Sequence, residues 1–281
     1  MSRKSVVILG AGGKMGARAA ARLRASQDYL AVLCESDPAK RKALQDAGHR
    51  VEETDVAVRR ADFVIVAVPD AVIGRVCRQI VPGMKTGACL IMLDAAAAYI
   101  GEIPERNDIT QMIVHPCHPP FFTEQPTPEA RQDYFGGVAA QDILSALVSG
   151  EESMFALGVE LAKIIYAPVR QAYRVTVDQF ALLEPAMAEI IVATAARWMK
   201  EALEEAVAQG VPRPAAEAFL AGHARIALAI VFGAEPSPFS DAALKAIEWG
   251  FAHYIRPEWR QIFQSEHLKR AIEEILHGGH E

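Results

Sequence analysis

Residues 6–16 read VVILGAGGKMG, in which a short apolar strand passes through a glycine turn into the start of a helix. Glycines let the backbone turn tightly and approach a pyrophosphate group, whose charge is met by the helix N-terminus. The glycines are spaced as GxGxxxG or GxxGxxG, variants of the usual GxGxxG pattern. We therefore predict that a dinucleotide binds at this turn, on Gly10, Gly12, Gly13, Lys14, Met15 and Gly16.

Two acidic residues follow later strands and support this prediction. Glu35 ends the second predicted strand, 19 residues after Gly16, where an acid hydrogen-bonds the adenosine ribose. Its charge would repel a 2′-phosphate, which favours NAD over NADP, although the basic residues 40–42 could instead recruit a phosphate. Asp70 closes the fourth strand and is expected beside the cofactor. The alternatives are a glycine turn that binds no nucleotide and, for Asp70, a plain strand-ending turn.

Short apolar runs alternate with helical stretches over the first part of the chain, which is typical of an α/β protein. We predict a Rossmann doubly wound parallel sheet in residues 1–172, followed by a mostly α-helical C-terminal domain in residues 173–281. The second domain is expected to begin with a helix of more than thirty residues, Thr176–Gln209. The predicted strands are Val6–Leu9, Leu30–Cys34, His49–Glu52, Phe63–Val68, Leu90–Leu93, Met112–Val114 and Ile143–Val148.

Bulk properties exclude several classes of protein. The net charge of −6 provides no basic stripe for nucleic acid, and no uncharged apolar run approaches the roughly 20 residues of a membrane span. The four cysteines show neither CxxC pairing nor metal-finger spacing, which suits a reducing compartment. No signal peptide is expected before the first strand. We therefore expect a cytoplasmic protein that contacts neither nucleic acid nor membrane.

A proline-rich loop with two histidines follows the sixth predicted strand, where residues 113–120 read IVHPCHPP. The carboxyl ends of parallel strands form the ligand crevice, so His115 should lie near the nicotinamide. There it could accept a hydroxyl proton during hydride transfer, or ligate a divalent metal ion that polarises the same oxygen. His118 is a second candidate for proton transfer. The alternative is a rigid structural loop whose histidines cap backbone groups.

The long predicted helix is apolar over residues 186–196 apart from Glu189 and Thr194, and a second acid, Glu184, lies just before this stretch. We predict that most of its circumference is buried, partly in a homodimer built through the helical domains. Glu184 precedes Pro185, which should kink the helix, and either Glu184 or Glu189 could face the nicotinamide pocket. The alternative is a buried salt bridge to an arginine such as Arg174 or Arg197.

Three motifs together resemble the D-apionate oxidoisomerase family, whose members are often labelled semialdehyde-dehydrogenase or phosphogluconate-dehydrogenase NAD-binding proteins. They are GKMG at residues 13–16, HPCHP at 115–119 and RVTVDQFALLEP at 174–185. The resemblance implies a 6-phosphogluconate-dehydrogenase-like fold. It also implies NAD-dependent oxidation of the C2 hydroxyl of a branched sugar acid, followed by an acyloin shift of a hydroxymethyl group from C3 to C2.

The same resemblance implies roles for site residues. His115 and Glu184 would hold one divalent ion, and Glu189 or His118 would transfer protons. Ketol-acid reductoisomerases hold two magnesium ions with a DxxxE pair, whereas here Asp178 and Glu184 are six apart, so a single ion is expected.

Two other functions stay open at this point. One is a simple NAD-dependent hydroxyacid or prephenate-type dehydrogenase that needs no metal. Its hydroxyacid form uses a lysine early in the long helix, and no lysine lies between Arg174 and Lys200. The other is a non-catalytic NAD-binding sensor.

Overall fold

The structure is a computed structural model that describes residues 3–278. Its centre is a seven-stranded sheet with the order β2-β1-β3-β4-β5-β6-β7. Neighbouring strands are parallel except for the antiparallel pair β5–β6. The strands are β1 Lys4–Leu9, β2 Tyr29–Cys34, β3 Phe63–Val66, β4 Cys89–Met92, β5 Thr110–Pro116, β6 Gln141–Ser149 and β7 Val169–Arg174.

The sheet is buried on both faces, which explains why its central strands read as unbroken apolar runs. All four residues of β3 are fully buried. One face packs on a cluster that includes Leu23 and Leu161, and the other on a cluster that includes Ile73 and Cys77. The helices of this part are α1 Lys14–Arg24, α2 Pro38–Asp46, α3 Thr54–Val58, α4 Asp70–Ile80, α5 Ala96–Tyr99, α6 Pro128–Arg131, α7 Glu152–Ile165 and α8 Val177–Ala181.

The strand order reverses at β1, which pairs with β2 on one side and β3 on the other. The connections after β1 and β3 therefore leave the sheet in opposite directions. This is the switch point at which doubly wound sheets open a ligand crevice beyond the carboxyl ends of their strands.

The predicted and observed strands differ at two places. The stretch His49–Glu52 is not a strand: Val51 makes only an isolated bridge to Leu33, because a single apolar residue among polar ones provides no face to bury. Strand β7 was not predicted. It lies at the sheet edge and four of its six residues are exposed, so it lacks the apolar run that indicates a buried strand.

The chain divides into two compact units. The first contains Met1–Ala181 and Lys269–Glu281, and the second is Leu182–Leu268. The boundary expected after residue 172 would cut β7, which pairs with β6, whereas the division lies after Ala181. The C-terminal helix α12, Ser265–His277, brings the chain back to the first unit, where His277 Nε2 lies 2.6 Å from Glu102 Oε1.

The second unit is helical. It opens with the π-helical segment Leu182–Ala193 and continues with α9 Thr194–Ala208, α10 Arg213–Val231 and α11 Asp241–Tyr254. The long helix predicted from the sequence is thus present, but its middle has wide turns. Pro185 has no N–H for the usual helical hydrogen bond, and π turns re-register the hydrogen bonds around it.

The burial expected around residues 186–196 is wrong for the single chain. Met187 and Val192 are 44% and 54% exposed, respectively. By length and composition alone, two helical segments are apolar enough to cross a membrane, Val177–Ala208 and Arg213–Val231. In the most apolar 18 residues of each segment, 28% and 6% of the residues are buried, respectively. Core helices of soluble proteins pass the same test, and charged residues interrupt both segments. These helices therefore leave apolar surface uncovered within one chain.

Candidate active site

A cavity of about 570 Å³ opens in the first unit, at the carboxyl ends of the central strands. Pockets of this size hold small ligands and cofactors. Its wall includes six of the eight residues predicted to bind the cofactor, namely Gly10, Gly13, Lys14, Met15, Glu35 and Asp70. It also includes both histidines of the proline-rich loop.

The glycine turn forms the floor between β1 and α1. Gly10 has a φ of +75°, a left-handed conformation that glycine adopts without strain, and a Cβ there would meet the Ala67 carbonyl. Gly16 does not line the cavity: a Cβ at this position would collide with the Gly10 carbonyl. Its role is to let the first turn of α1 pack tightly against the loop.

Glu35 is buried at the end of β2 and is held by the backbone. Its Oε2 accepts a hydrogen bond of 2.8 Å from Gly12 N, and its Oε1 accepts one of 3.0 Å from Asp37 N. Gly12 therefore holds Glu35 in place and does not itself line the cavity. These bonds fix the carboxylate at the place where a dinucleotide ribose is expected.

The basic residues that follow Glu35 differ in their partners. Arg41 pairs with Glu53 at 2.6 Å and Lys42 with Asp46 at 2.7 Å. Lys40 lies on the cavity wall, where a phosphate would meet it. The buried carboxylate and this lysine are the charges that bear on the choice between NAD and NADP.

His115 and His118 lie together at the end of β5, with ring centroids 6.2 Å apart. His115 Nδ1 is 3.0 Å from the Leu93 carbonyl, and His118 Nδ1 is 3.1 Å from the Phe135 carbonyl. A carbonyl only accepts, so in each ring Nδ1 carries a proton and donates it. Nε2 is therefore the ring atom through which either histidine would act as a base or a metal ligand.

The electrostatic surroundings keep His118 neutral. Burial lowers its pKa from the ordinary value, and the charges of His115, Arg18 and Lys14 lower it further against the opposing effect of the Phe135 hydrogen bond. Burial in the cleft raises the pKa of Asp70, while His115 counteracts this rise. The loop residue Cys117 does not line the cavity.

Several cavity residues could not be found by reasoning from the sequence. Phe135 and Tyr166 lie on the wall, and Lys14 Nζ sits 3.3 Å above the Phe135 ring centroid. Arg18, one turn after Lys14, donates to the carbonyls of Phe135 and Tyr166. No motif marks these positions, because they come from segments far apart in the sequence.

The acidic candidates of the long helix lie in the second unit. Glu184 is buried and Glu189 is exposed. Of their suggested partners, Arg174 pairs with Glu152 and Arg197 with Glu201, each at 2.7 Å. Among residues 3–278, no group of three or more His, Cys, Asp or Glu side chains is placed to hold a metal ion.

Two family models match the chain, each over more than half of its length. The acetohydroxy acid isomeroreductase NADPH-binding domain matches residues 1–165, and the phosphogluconate dehydrogenase (decarboxylating) C-terminal domain matches residues 123–276. These matches confirm the predicted fold class, a Rossmann domain followed by a helical part.

Curated relatives align with nearly the whole chain. A D-apionate oxidoisomerase from Cupriavidus necator is 44% identical over 97% of this chain and 99% of its own. One from Rhizobium rhizogenes is 41% identical over 96% of this chain and 98% of its own.

Among solved structures, a semialdehyde dehydrogenase NAD-binding protein from Cupriavidus necator, crystallised with calcium and NAD, has a TM-score of 0.92 and 44% identity. The match covers 98% of this chain and 100% of that one. An NADH-preferring ketol-acid reductoisomerase from an uncultured archaeon, 20% identical with a TM-score of 0.69, shares the fold. The chain thus belongs to the D-apionate oxidoisomerase family and is an NAD-dependent oxidoreductase.

Proposed function

We propose that this protein oxidises a branched sugar acid, D-apionate or a close relative, with NAD and couples the oxidation to an acyloin rearrangement. One observation carries the proposal: two histidines, one of them (His118) with a lowered pKa, stand side by side in the cavity that also contains the glycine turn and Glu35. The relatives named above support the substrate class. A hydride acceptor and two bases in one cavity suit an oxidation that is followed by a second proton transfer.

The cavity fits a dinucleotide. The glycine turn provides backbone N–H groups at the start of α1 for the pyrophosphate, and Glu35 lies where the adenosine ribose would bind. The histidines lie on the wall of the same cavity, at the end of β5, where the nicotinamide would bind. When bound there, NAD accepts the hydride from C2 of the substrate.

His118 is the base of the first step in this proposal. As the C2–H bond gives up its electron pair with the hydride, Nε2 of His118 accepts the proton of the C2 hydroxyl, and the C2–O bond becomes a carbonyl. The lowered pKa of His118 leaves the ring neutral near pH 7, as a base must be. The products are a 2-keto acid, NADH and a protonated His118.

The second step needs a base at the C3 hydroxyl, and His115 lies beside His118 to provide it. Nε2 of His115 accepts the C3 hydroxyl proton, and the electrons of that O–H bond form the C3 carbonyl. The hydroxymethyl group leaves C3 with its bonding pair and forms a bond to C2. The C2 oxygen takes back the proton from His118, so atoms and charge balance.

The family resemblance implies an alternative for the second step, in which His115 and Glu184 would hold a divalent ion and Nε2 of His115 would bind this ion instead of taking the proton. When bound, it would act as a Lewis acid toward the substrate oxygens. The described residues contain no preassembled group of three ligands, so such an ion would depend on substrate oxygens for its other positions. Glu189, the other candidate for proton transfer, is an exposed residue of the second unit, whereas His118 lines the cavity.

The test is NADH formation at 340 nm with a panel of branched and linear sugar acids, with and without a chelator and added divalent metals. Turnover of a branched acid with a rearranged product, identified by NMR, supports the proposal. Oxidation of linear hydroxy acids without rearrangement would favour the simple dehydrogenase. No turnover of any acid, with NAD binding intact, would favour the NAD-binding sensor. Loss of turnover with chelator tests the ion separately.

We also propose that the second unit packs against a second copy of this chain. Obligate homodimers bury large and mostly hydrophobic interfaces. Large exposed apolar residues are concentrated in this unit, among them Trp198, Phe219, Val231, Phe232, Trp249, Phe251 and Tyr254.

A further inference from the structure

The backbone carbonyl of Phe135 accepts two hydrogen bonds, and they join α1 to the histidine loop. Arg18 Nη1 donates to it over 3.3 Å, and His118 Nδ1 donates to it over 3.1 Å. We propose that Arg18 is a positioning residue that holds the His118 ring in place through the Phe135 carbonyl. The inference rests on the proposed function, in which His118 Nε2 takes the substrate proton.

His118 needs such support because its backbone is strained. Its φ is +61°, the left-handed region that residues with a Cβ rarely occupy. Strained backbone of this kind persists only where neighbouring contacts hold it, and it is concentrated at functional sites. The Nδ1 bond to Phe135 is one such contact, and the tilted Phe135 ring, 5.3 Å from the His118 ring, is another.

Arg18 is itself firmly held. Its Nη2 donates to the Tyr166 carbonyl over 3.2 Å, and its guanidinium lies 5.5 Å from the Tyr166 ring centroid. A planar guanidinium that bridges two carbonyls fixes the distance between them, which a flexible ammonium does less well. Phe135 is therefore held at a constant position relative to α1.

The segment that carries Phe135 is internally rigid. Asp133 accepts hydrogen bonds from the backbone N–H groups of Phe135, Gly136, Val138 and Ala139. Because this segment moves as one piece, the bonds from α1 decide where it lies. Helix α1 also begins at the glycine turn, so the same helix positions both the predicted cofactor site and His118.

Arg22 offers a matched control on the same helix. It lies one turn after Arg18 and donates to the carbonyls of Gly137 and Ala167. It thus anchors the same loop with the same type of side chain, but not through the carbonyl that His118 uses. A general loosening of the loop would follow from loss of either arginine, whereas mispositioning of His118 should follow from loss of Arg18 alone.

The experiment compares Arg18→Met, Arg18→Lys and Arg22→Met in the full-length enzyme with NAD and D-apionate. We expect Arg18→Met to lower kcat by about 10- to 100-fold, with KM for NAD within about twofold. Arg18→Lys should recover a large part of kcat, since it can still donate to Phe135. Arg22→Met should keep kcat within about twofold, even if Tm falls by the same amount in Arg22→Met and Arg18→Met.

A spectroscopic readout accompanies the kinetics. Long-range ¹H–¹⁵N spectra of the histidine rings should show His118 with its proton on Nδ1 in the native enzyme and in Arg22→Met. In Arg18→Met the His118 signals should move toward an average of both tautomers. Equal losses of kcat in Arg18→Met and Arg22→Met, or an unchanged tautomer in Arg18→Met, would overturn the inference.

His118→Asn separates this inference from the proposed function, because asparagine tolerates the left-handed backbone but is no base. If His118→Asn keeps full kcat, the proposed role of His118 fails and the role of Arg18 fails with it. If His118→Asn loses kcat while Arg18→Met keeps it, only the role of Arg18 fails.

Discussion

Glu35 shows how one buried charge can decide the choice of cofactor. Its carboxylate accepts from Gly12 N and Asp37 N at the edge of the cavity, and Lys40 lies on the same wall. A 2′-phosphate at this place would lie beside both the carboxylate and the lysine. The negative charge thus opposes NADP binding. Once this charge is removed, Lys40 is available to bind the phosphate.

We predict that Glu35→Gln raises the ratio of kcat/KM for NADP to that for NAD on the order of tenfold, equivalent to about 1.4 kcal/mol. The amide keeps one acceptor for the backbone but removes the repulsion. Steady-state kinetics with both cofactors measure the ratio. Glu52→Gln changes the net charge equally at an acid that does not line the cavity, and should leave the ratio unchanged. An unchanged ratio in Glu35→Gln would contradict the charge argument.

Thiol reactivity gives a second prediction for single residues. Cys34, Cys77 and Cys89 are buried, and burial raises the pKa of Cys34 to about 11 and of Cys77 to about 12. Cys117 is exposed, but partial burial of its thiol and the nearby Asp142 raise its pKa to about 11. The thiolate is the reactive form, so a raised pKa leaves little of it near neutral pH.

Iodoacetamide should therefore modify Cys117 first, at a rate that rises about tenfold per pH unit from pH 7 to pH 10. A free cysteine with a pKa of about 8.5 would level off within this range. Mass spectrometry gives the rate, and Cys117→Ser removes the first site as a control. A plateau below pH 9 would show that the thiol is not desolvated.

The sequence predicted His115, His118 and Glu35 because each follows an apolar strand of a recognisable pattern. Phe135 and Tyr166 could not be predicted in this way. Phe135 lies 17 residues after His118 and reaches it through a carbonyl, a group that every residue carries. Contacts made by the backbone leave no mark on residue type, so they become visible only in the folded chain.

Among the elements, the segment 133–139 depends on a single side chain. Burial alone would raise the pKa of Asp133, but the four backbone N–H groups that donate to it outweigh burial and lower its pKa. A lowered pKa in the folded state means that the ionised form stabilises the fold. This contribution is present above the ordinary value of about 3.9 and is lost as pH falls through the folded value.

We predict that Asp133→Asn destabilises the protein by about 1–3 kcal/mol at pH 7, because the amide leaves part of the backbone N–H groups without an acceptor. Urea unfolding measures the change. The difference from wild type should shrink as the pH falls through the lowered folded pKa of Asp133, where the native carboxyl protonates. Glu129→Gln, a charge change just before this segment, serves as the control. An equal effect of both substitutions would refute a specific role for Asp133.

Secondary-structure elements were predictable where they bury a regular apolar face. The central strands and α1 follow this rule, whereas β7 does not, since its outward residues are polar and exposed. The π-helical turns around Pro185 could also not be predicted from the sequence. Proline predicts a disturbance of the helix, but whether it becomes a kink or a widened turn depends on packing.

At the scale of the whole molecule, the path of the chain end was not predictable. The last helix ends in the first unit, where Ile272 and Leu276 are buried and His277 contacts Glu102. The apolar pattern of the helix predicts that it buries one face, but not which unit it contacts. The apolar excess of the second unit was, in contrast, predictable, because the sequence of its helices carries more apolar residues than one chain covers.

This excess leads to a prediction about assembly. Sedimentation equilibrium of the native protein at micromolar concentration, without detergent, should give twice the mass of one chain. The double substitution Phe219→Glu and Phe232→Glu places charges on residues that are 69% and 67% exposed in one chain, and a second copy would bury them. Burial of unpaired charges is costly, so this variant should be monomeric. Val56→Glu alters a residue of the first unit that is 53% exposed, and the dimer should persist. A native protein that sediments as a monomer, or that requires detergent to stay in solution, would show that a second copy does not cover this surface.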